Sequence, residues 1–243
     1  MQGPLYGMVN PIHFGHRGIM SSIDDKVQRI RKRSQGLISN LENFYKAIDI
    51  SSSEISEVLN TPLEERYREK IVKKKDGSDR LVYAPIAPLK RIQTRLKNRI
   101  FANHAVIEWP DYIFGSIPKQ LLLDGTTDPR DYVMCADQHS GAKSILTVDI
   151  KDFFDNVHED VVEQLLRIYV SSNQQVVDLL LNICCYNGHL IQGAPTSSYL
   201  ANLSLHDIEP KLVNSVRRKK LIYTRLVDDI TVSSKIYDYD FSY

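Results

Sequence analysis

No apolar run in the chain approaches the ~18 residues that a membrane-spanning helix needs, so no span is expected. The opening Met1-Gln-Gly-Pro-Leu-Tyr-Gly7 lacks a basic stretch leading into an apolar one, so it does not read as a secretory leader. Cysteine is scarce. Cys135, Cys184 and Cys185 are odd in number and lack metal-ligand spacing, which points to buried free thiols and a cytoplasmic setting. Net charge is also nearly absent, at +1, yet it is unevenly spread. Between Arg66 and Arg99 twelve Lys or Arg face three acids, a local +9, which leaves −8 for the remainder. Such a basic segment suits phosphate contacts, while the acidic remainder suits metal binding. A second basic run, Lys26 to Arg33, reads equally well as a solvated helix face. With 42% hydrophobic and 25% charged residues, the 243-residue chain is an ordinary globular protein of one large or two small domains.

Two segments carry the chemistry. Ile145-Leu-Thr-Val-Asp149-Ile-Lys-Asp-Phe-Phe154 and Tyr223-Thr-Arg-Leu-Val-Asp228-Asp229-Ile-Thr-Val232 are each β-branched, apolar strands with carboxylates at one end. An Asp-Asp pair taken alone is most simply a hairpin turn. Paired with the first segment, it could bring Asp149, Asp228 and Asp229 together across neighbouring strands. Carboxylates so placed repel one another, and Mg²⁺, which prefers oxygen ligands, would relieve that repulsion. Two such ions clamp the attacking and leaving oxygens of a phosphoryl transfer. Between the strands, Gln192-Gly-Ala-Pro-Thr-Ser197 opens a helix: Gly193 would let backbone approach a ligand, Thr196 and Ser197 could cap, and Gln192 could bond a sugar or base.

The remaining organisation is α+β. Residues 1–20 read as an irregular arm, and apolar spacing from Ser22 to Ile50 predicts helix. Ser51-Ser-Ser-Glu54 opens a short helix that Asn60-Thr-Pro62 ends. Tyr67 to Pro85 forms a hairpin candidate turning at Asp76-Gly77, and Leu89 to Phe101 an amphipathic basic helix. Residues 102–143 read as loop. Beyond them come strand 144–150, helices near 159–170 and 174–186, a short strand 189–191, a helix at 197–212, and strands 221–227 and 230–234.

In this order the motifs resemble the reverse transcriptase family, and among its branches the bacterial retron and retron-like defence enzymes. The resemblance runs from about Tyr67 to Ser234. Cys135-Ala-Asp-Gln-His139 is similar to a retron Asn-Ala-x-x-His element with Cys in the Asn position. The implied fold is a right-hand polymerase, with N-terminal helices and fingers at 1–143 and a palm at 144–243. The palm would be a ferredoxin-like antiparallel sheet with helices on one face; the thumb usual in the family is expected to be absent from this chain. The resemblance implies an RNA-directed DNA polymerase with two Mg²⁺ ions on Asp149, Ile150, Asp228 and Asp229. The nucleotide would meet Lys74, Arg80, Asp152, Phe153, Phe154, Gln192 and Gly193, with Phe154 blocking a ribose 2′-hydroxyl. Core packing is the plainer reading of either Phe. Nucleic acid would meet Lys73, Lys75, Lys90, Arg91, Arg95 and Arg225. His139 is read as structural or RNA-contacting rather than as a base. Implied partners are an RNA template, a structured non-coding RNA, deoxynucleoside triphosphates, a DNA product and an effector protein or self-assembly in anti-phage defence. Leu226 departs from the family's usual aromatic, and Ser198 stands where a second Pro is common. Two alternatives remain open: a truncated, non-catalytic RNA-binding scaffold or subunit completed by a partner, and protein-primed or untemplated synthesis.

Overall fold

A computed structural model describes residues 27–73, 77, 79–121 and 125–242, without the side chains of Arg80 and Leu121. The chain runs β1 (Arg31–Lys32), α1 (Leu41–Ile48), α2 (Ser52–Leu59), β2 (Tyr67–Lys73), β3 (Asp79–Pro85) and α3 (Ala87–Leu96). Then follow β4 (Ile107–Glu108), β5 (Ile113–Phe114), β6 (Gln120–Leu121), β7 (Thr127–Asp128), α4 (Tyr132–Asp137) and β8 (Ser144–Asp149). The last third holds α5 (Glu159–Tyr169), α6 (Gln174–Cys184), α7 (Ser197–Ser204), α8 (Glu209–Arg218), β9 (Ile222–Leu226) and β10 (Asp229–Ser234).

Among the described residues, the helix expected from Ser22 to Ile50 forms only over α1. Residues 27–40 are mostly extended, with β1 paired to β4, and Ile38 exchanges backbone contacts with Val170 and Ser171. Gly36 and four crowded cations favour this arrangement over a continuous helix. Asn40 caps α1 by accepting from the Asn43 amide at 2.8 Å, and Phe44 and Ile48, one turn apart, enter the core. α2 opens on a complete capping box, as its sequence promises: Ser51 accepts from the Glu54 amide and Glu54 accepts from the Ser51 amide. Ser51→Ala should therefore cost about 1 kcal/mol of stability, read as a lowered midpoint in urea with unchanged slope.

α3 starts two residues early, at Ala87 with Pro88 in its first turn, and ends in a wide π turn, Lys97–Phe101, that keeps Ile100 and Phe101 in the core. The helix expected over 197–212 is broken. α7 ends at Ser204, and Pro210, which has no N–H to continue a ladder, sits in the first turn of α8. The expected strand at 189–191 is reduced to single bridges from His189 to His158 and Tyr186.

The central sheet has the order β5-β9-β10-β8. β9, β10 and β8 are antiparallel neighbours, but β5 joins β9 in parallel, so the sheet is mixed rather than wholly antiparallel. β5 also comes from the segment read as loop, before residue 144. Nor do helices keep to one face. Glu209 of α8 meets Tyr223 and Arg225 on one side of β9, while Cys135 of α4 meets Thr224 on the other. The β2–β3 hairpin stands apart from this sheet, in register from Tyr67↔Pro85 to Lys73↔Asp79. All three cysteines are free and buried, and no helix among the described residues is long and apolar enough to cross a membrane.

Candidate active site

Register brings the acids together. Asp229 lies directly opposite Asp149 in the β10–β8 ladder, so their side chains leave the same face of the sheet. Asp228 sits in the two-residue turn between β9 and β10, and its carbonyl accepts from the Ile150 amide at 3.0 Å. The chain after Asp149 does not continue as strand. It turns through Asp152, whose φ is +48°, and Asn156 pins that turn by donating to the carbonyls of Lys151 and Asp152, both at 3.1 Å. Among the described residues no group of three or more His, Cys, Asp or Glu side chains is drawn together to hold an ion. Mutual repulsion is reason enough for like carboxylates to stand apart.

A cavity of about 710 Å³ opens beside the acids, a size proper to small-molecule sites. Asp149, Ile150, Asp152, Phe153, Phe154, Gln192 and Asp228 line it, as do Asp79, Leu81 and Tyr83 from the hairpin. Phe153 is almost wholly buried and packs in the core, while Phe154 is half-buried at its edge with ring centroids 6.1 Å apart. Asp229 is across the ladder from Asp149 but does not line the cavity.

Gly193 has a different task from the expected one. Its φ is +116°, and a Cβ there would lie 2.6 Å from the carbonyl oxygen of Tyr83. The Tyr83 amide donates to the Gln192 carbonyl at 3.0 Å. The backbone that approaches Gly193 is thus the chain's own, strand β3, and the hairpin is fastened to the loop ahead of α7. The Tyr83 ring extends the contact by packing on Tyr186, 5.5 Å between centroids. Thr196 and Ser197 are buried and neither caps α7.

The expected phosphate and nucleic-acid contacts divide. Lys73 pairs with Asp79 across the hairpin. Lys74 and Lys75 lie outside the described residues, as does the side chain of Arg80, whose backbone pairs with Val72. Lys90 is exposed. Arg91 pairs with Glu54 at 3.1 Å and Arg95 with Asp49, both on the surface, tying α3 to the helices before it. Arg225 is a correction. Although it neighbours the acids in sequence, its side chain is 0% exposed and paired with Glu209, so it cannot touch nucleic acid from this position. Alternation along β9 turns it into the interior.

His139 is structural in its geometry. Nδ1 lies 2.7 Å from Ser233 Oγ and Nε2 2.8 Å from Thr224 Oγ1, so the ring bridges β10 and β9. Burial, then Lys235, lowers its pKa and keeps the imidazole neutral near pH 7. Cys135 donates to the same Thr224 hydroxyl at 3.3 Å. Leu226 packs against Gly115, whose Cβ would come within 2.7 Å of Leu226 Cδ1. Sequence reasoning missed Glu209, Asn202 and Tyr83. A lone acid just before Pro210 looks like an ordinary first-turn residue, and only burial distinguishes it.

A model of the family described as reverse transcriptase (RNA-dependent DNA polymerase) matches residues 72–239, more than two thirds of the chain and the whole of this site. The chain belongs to the reverse transcriptase family. The curated proteins it resembles are retron reverse transcriptases. It is similar to the retron Ec48 reverse transcriptase of Escherichia coli, 42% identical over 86% of this chain and 51% of that protein. It is also similar to the retron Ec86 reverse transcriptase of Escherichia coli, 29% identical over 85% of this chain and 61% of that protein. The chain thus spans about half to three fifths of the length of these curated relatives. A solved telomerase from Candida albicans aligns over 85% of this chain and 45% of that one, with TM-score 0.43 and 12% identity, a likeness too loose to place any residue.

Proposed function

We propose that this reverse transcriptase chain carries the nucleotidyl-transfer centre of an RNA-directed DNA polymerase, with fingers at 1–143 and palm at 144–243. The observation that supports it is the ladder register setting Asp229 against Asp149, with Asp149 and Asp228 lining the cavity that Gln192 and the β2–β3 hairpin enclose. The donor set fits a hard divalent cation: every available ligand is a carboxylate or carbonyl oxygen on partly exposed backbone. Asp149, Asp228, Asp229 and the Ile150 carbonyl would hold Mg²⁺, which supplies Lewis-acid stabilisation to the attacking hydroxyl and the triphosphate.

The chain's own residues do the rest. The turn of Ile150 to Asp155 and strand β3 shape two walls of the cavity, and Gln192 presents an amide to a sugar or base. Phe154, at the cavity edge, faces the ribose 2′ position and excludes a hydroxyl there, the group that separates RNA from DNA. Lys73 and Lys90 offer charge to the phosphates of template and primer. On this reading a structured non-coding RNA serves as template and partner, and an effector protein joins it in a defence role, as the motif resemblance implies.

Primer extension by this chain on an RNA template, with Mg²⁺ and four deoxynucleotides, tests the reading. Extension supports it, and a folded chain that binds neither Mg²⁺ nor deoxynucleotide overturns it. Phe154→Val should raise ribonucleotide incorporation about tenfold or more relative to deoxynucleotide, since removing a steric block of about 1.4 kcal/mol is one decade. Competition between the two triphosphates measures it.

A further inference from the structure

The turn that carries Asp228 is strained, and something holds it. Val227, a β-branched residue, has φ of +60°, in the region that Gly normally occupies at the first position of a two-residue hairpin turn. Such a conformation persists where surrounding contacts over-determine it. Here the contacts are explicit. Arg225 Nη1 donates to the Val227 carbonyl at 2.8 Å. The same guanidinium donates to both oxygens of Glu209, Nε to Oε1 at 2.6 Å and Nη2 to Oε2 at 2.8 Å. Nη1 also donates to Asn202 Oδ1 at 2.7 Å, and Nη2 to the Asn202 carbonyl at 3.3 Å. All five donors of the fork are thereby used.

The frame around the fork is equally fixed. Tyr223 donates its hydroxyl to Glu209 at 2.9 Å, and Asn202 Nδ2 donates to the Gly115 carbonyl at 3.1 Å. Gly115 in turn leaves room for Leu226 and Val227, which its Cβ would meet at 2.7 and 3.3 Å. A wholly buried ion pair is a poor source of stability in itself, because desolvation offsets its attraction. Its fork reaches two backbone carbonyls, that of Asn202 and, inside the turn, that of Val227.

We propose that Arg225, held by Glu209 and Asn202, is a positioning residue that keeps Val227 left-handed and so sets the direction in which Asp228 and Asp229 leave the turn. This rests on the nucleotidyl-transfer reading given above. Arg225→Lys keeps a cation beside Glu209 but loses the planar fork that reaches Val227 at the same time. The variant should extend primers with kcat lowered at least tenfold, deoxynucleotide KM within about twofold, and a several-fold higher Mg²⁺ concentration for half-maximal rate. Val227→Gly, added to Arg225→Lys, should recover a substantial part of the rate, since Gly adopts that φ without strain.

Amide hydrogen exchange at 227–230 supplies a readout that needs no activity. Arg225→Lys should speed it at least tenfold while exchange elsewhere is unchanged. If the unaltered chain extends no primer, the polymerase reading fails, and exchange still decides the brace. Normal kcat, Mg²⁺ requirement and turn exchange in Arg225→Lys would overturn the proposal, as would a double variant no faster than the single one. Should Arg225→Lys not fold, Asn202→Ala, which removes one acceptor and keeps the ion pair, decides alone: faster turn exchange upholds the brace, unchanged exchange overturns it.

Discussion

Asp149→Asn should abolish primer extension while leaving the fold intact, and without divalent metal it should even stabilise the chain. The two expectations come from one geometric fact, the direct pairing of Asp149 with Asp229. Like charges directly opposite on antiparallel strands destabilise the ladder, and Asn keeps the size while removing one charge, a gain of up to ~1 kcal/mol. On the proposed function the same change takes a ligand from the Mg²⁺ ions. A loss of about 4 kcal/mol in transition-state stabilisation corresponds to roughly a thousandfold in rate. Thermal unfolding in chelator and in Mg²⁺ separates the effects: Mg²⁺ should raise the midpoint of the unaltered chain and scarcely move that of the variant. A variant that extends primers normally, or is stabilised by Mg²⁺ as strongly as its parent, would remove Asp149 from the metal site.

Gly193→Ala should have the next largest effect, and by a different route. At φ of +116° an added methyl is strained, and it would also stand 2.6 Å from the Tyr83 carbonyl oxygen, which belongs to backbone and cannot rotate aside. Strand β3 must move away, breaking the Tyr83–Gln192 hydrogen bond and opening one wall of the cavity. The expected cost is about 2–4 kcal/mol, from strain together with the lost hydrogen bond. Because the acids are untouched, deoxynucleotide KM should rise much more than kcat falls, and Mg²⁺ should still raise the thermal midpoint. Equal losses in both constants would mean that the glycine serves the acids and not the hairpin.

What the sequence showed and what it hid follow one physical division. Carboxylates at the ends of β-branched runs, the Ser51–Glu54 box and the paired strands of the Tyr67–Pro85 hairpin are local patterns, and the fold bears each of these out, while the expected turn at Asp76-Gly77 lies largely outside the described residues. Features that depend on distant partners were hidden. β5 is two residues long and exists only because β9 lies beside it, so no period announces it. Residues 27–40 have helical spacing, yet β4 and Val170 take up their backbone groups. Arg225 looks like a phosphate contact until Glu209, sixteen residues earlier and on another element, is seen against it. Gly193 carried a signal, an obligate small residue, but not the identity of what approaches it.

The strand order has a consequence for how the molecule is made. β5 and β8 are the flanks of the sheet, and β9–β10 is the piece between them. The flanks leave the ribosome first, and β5 has no partner until Leu226 has followed, nor β8 until Ser234 has. Until then the exposed Ile145, Leu146 and Val148 stand on an unpaired edge, a surface that invites association with other chains. The acidic sheet therefore closes later than the helices that precede it, built from contacts of long sequence separation that make folding slow. Ribosome pauses or cuts before the β9–β10 hairpin would release a protein with helices α1 to α8 in place and a sticky, half-made sheet.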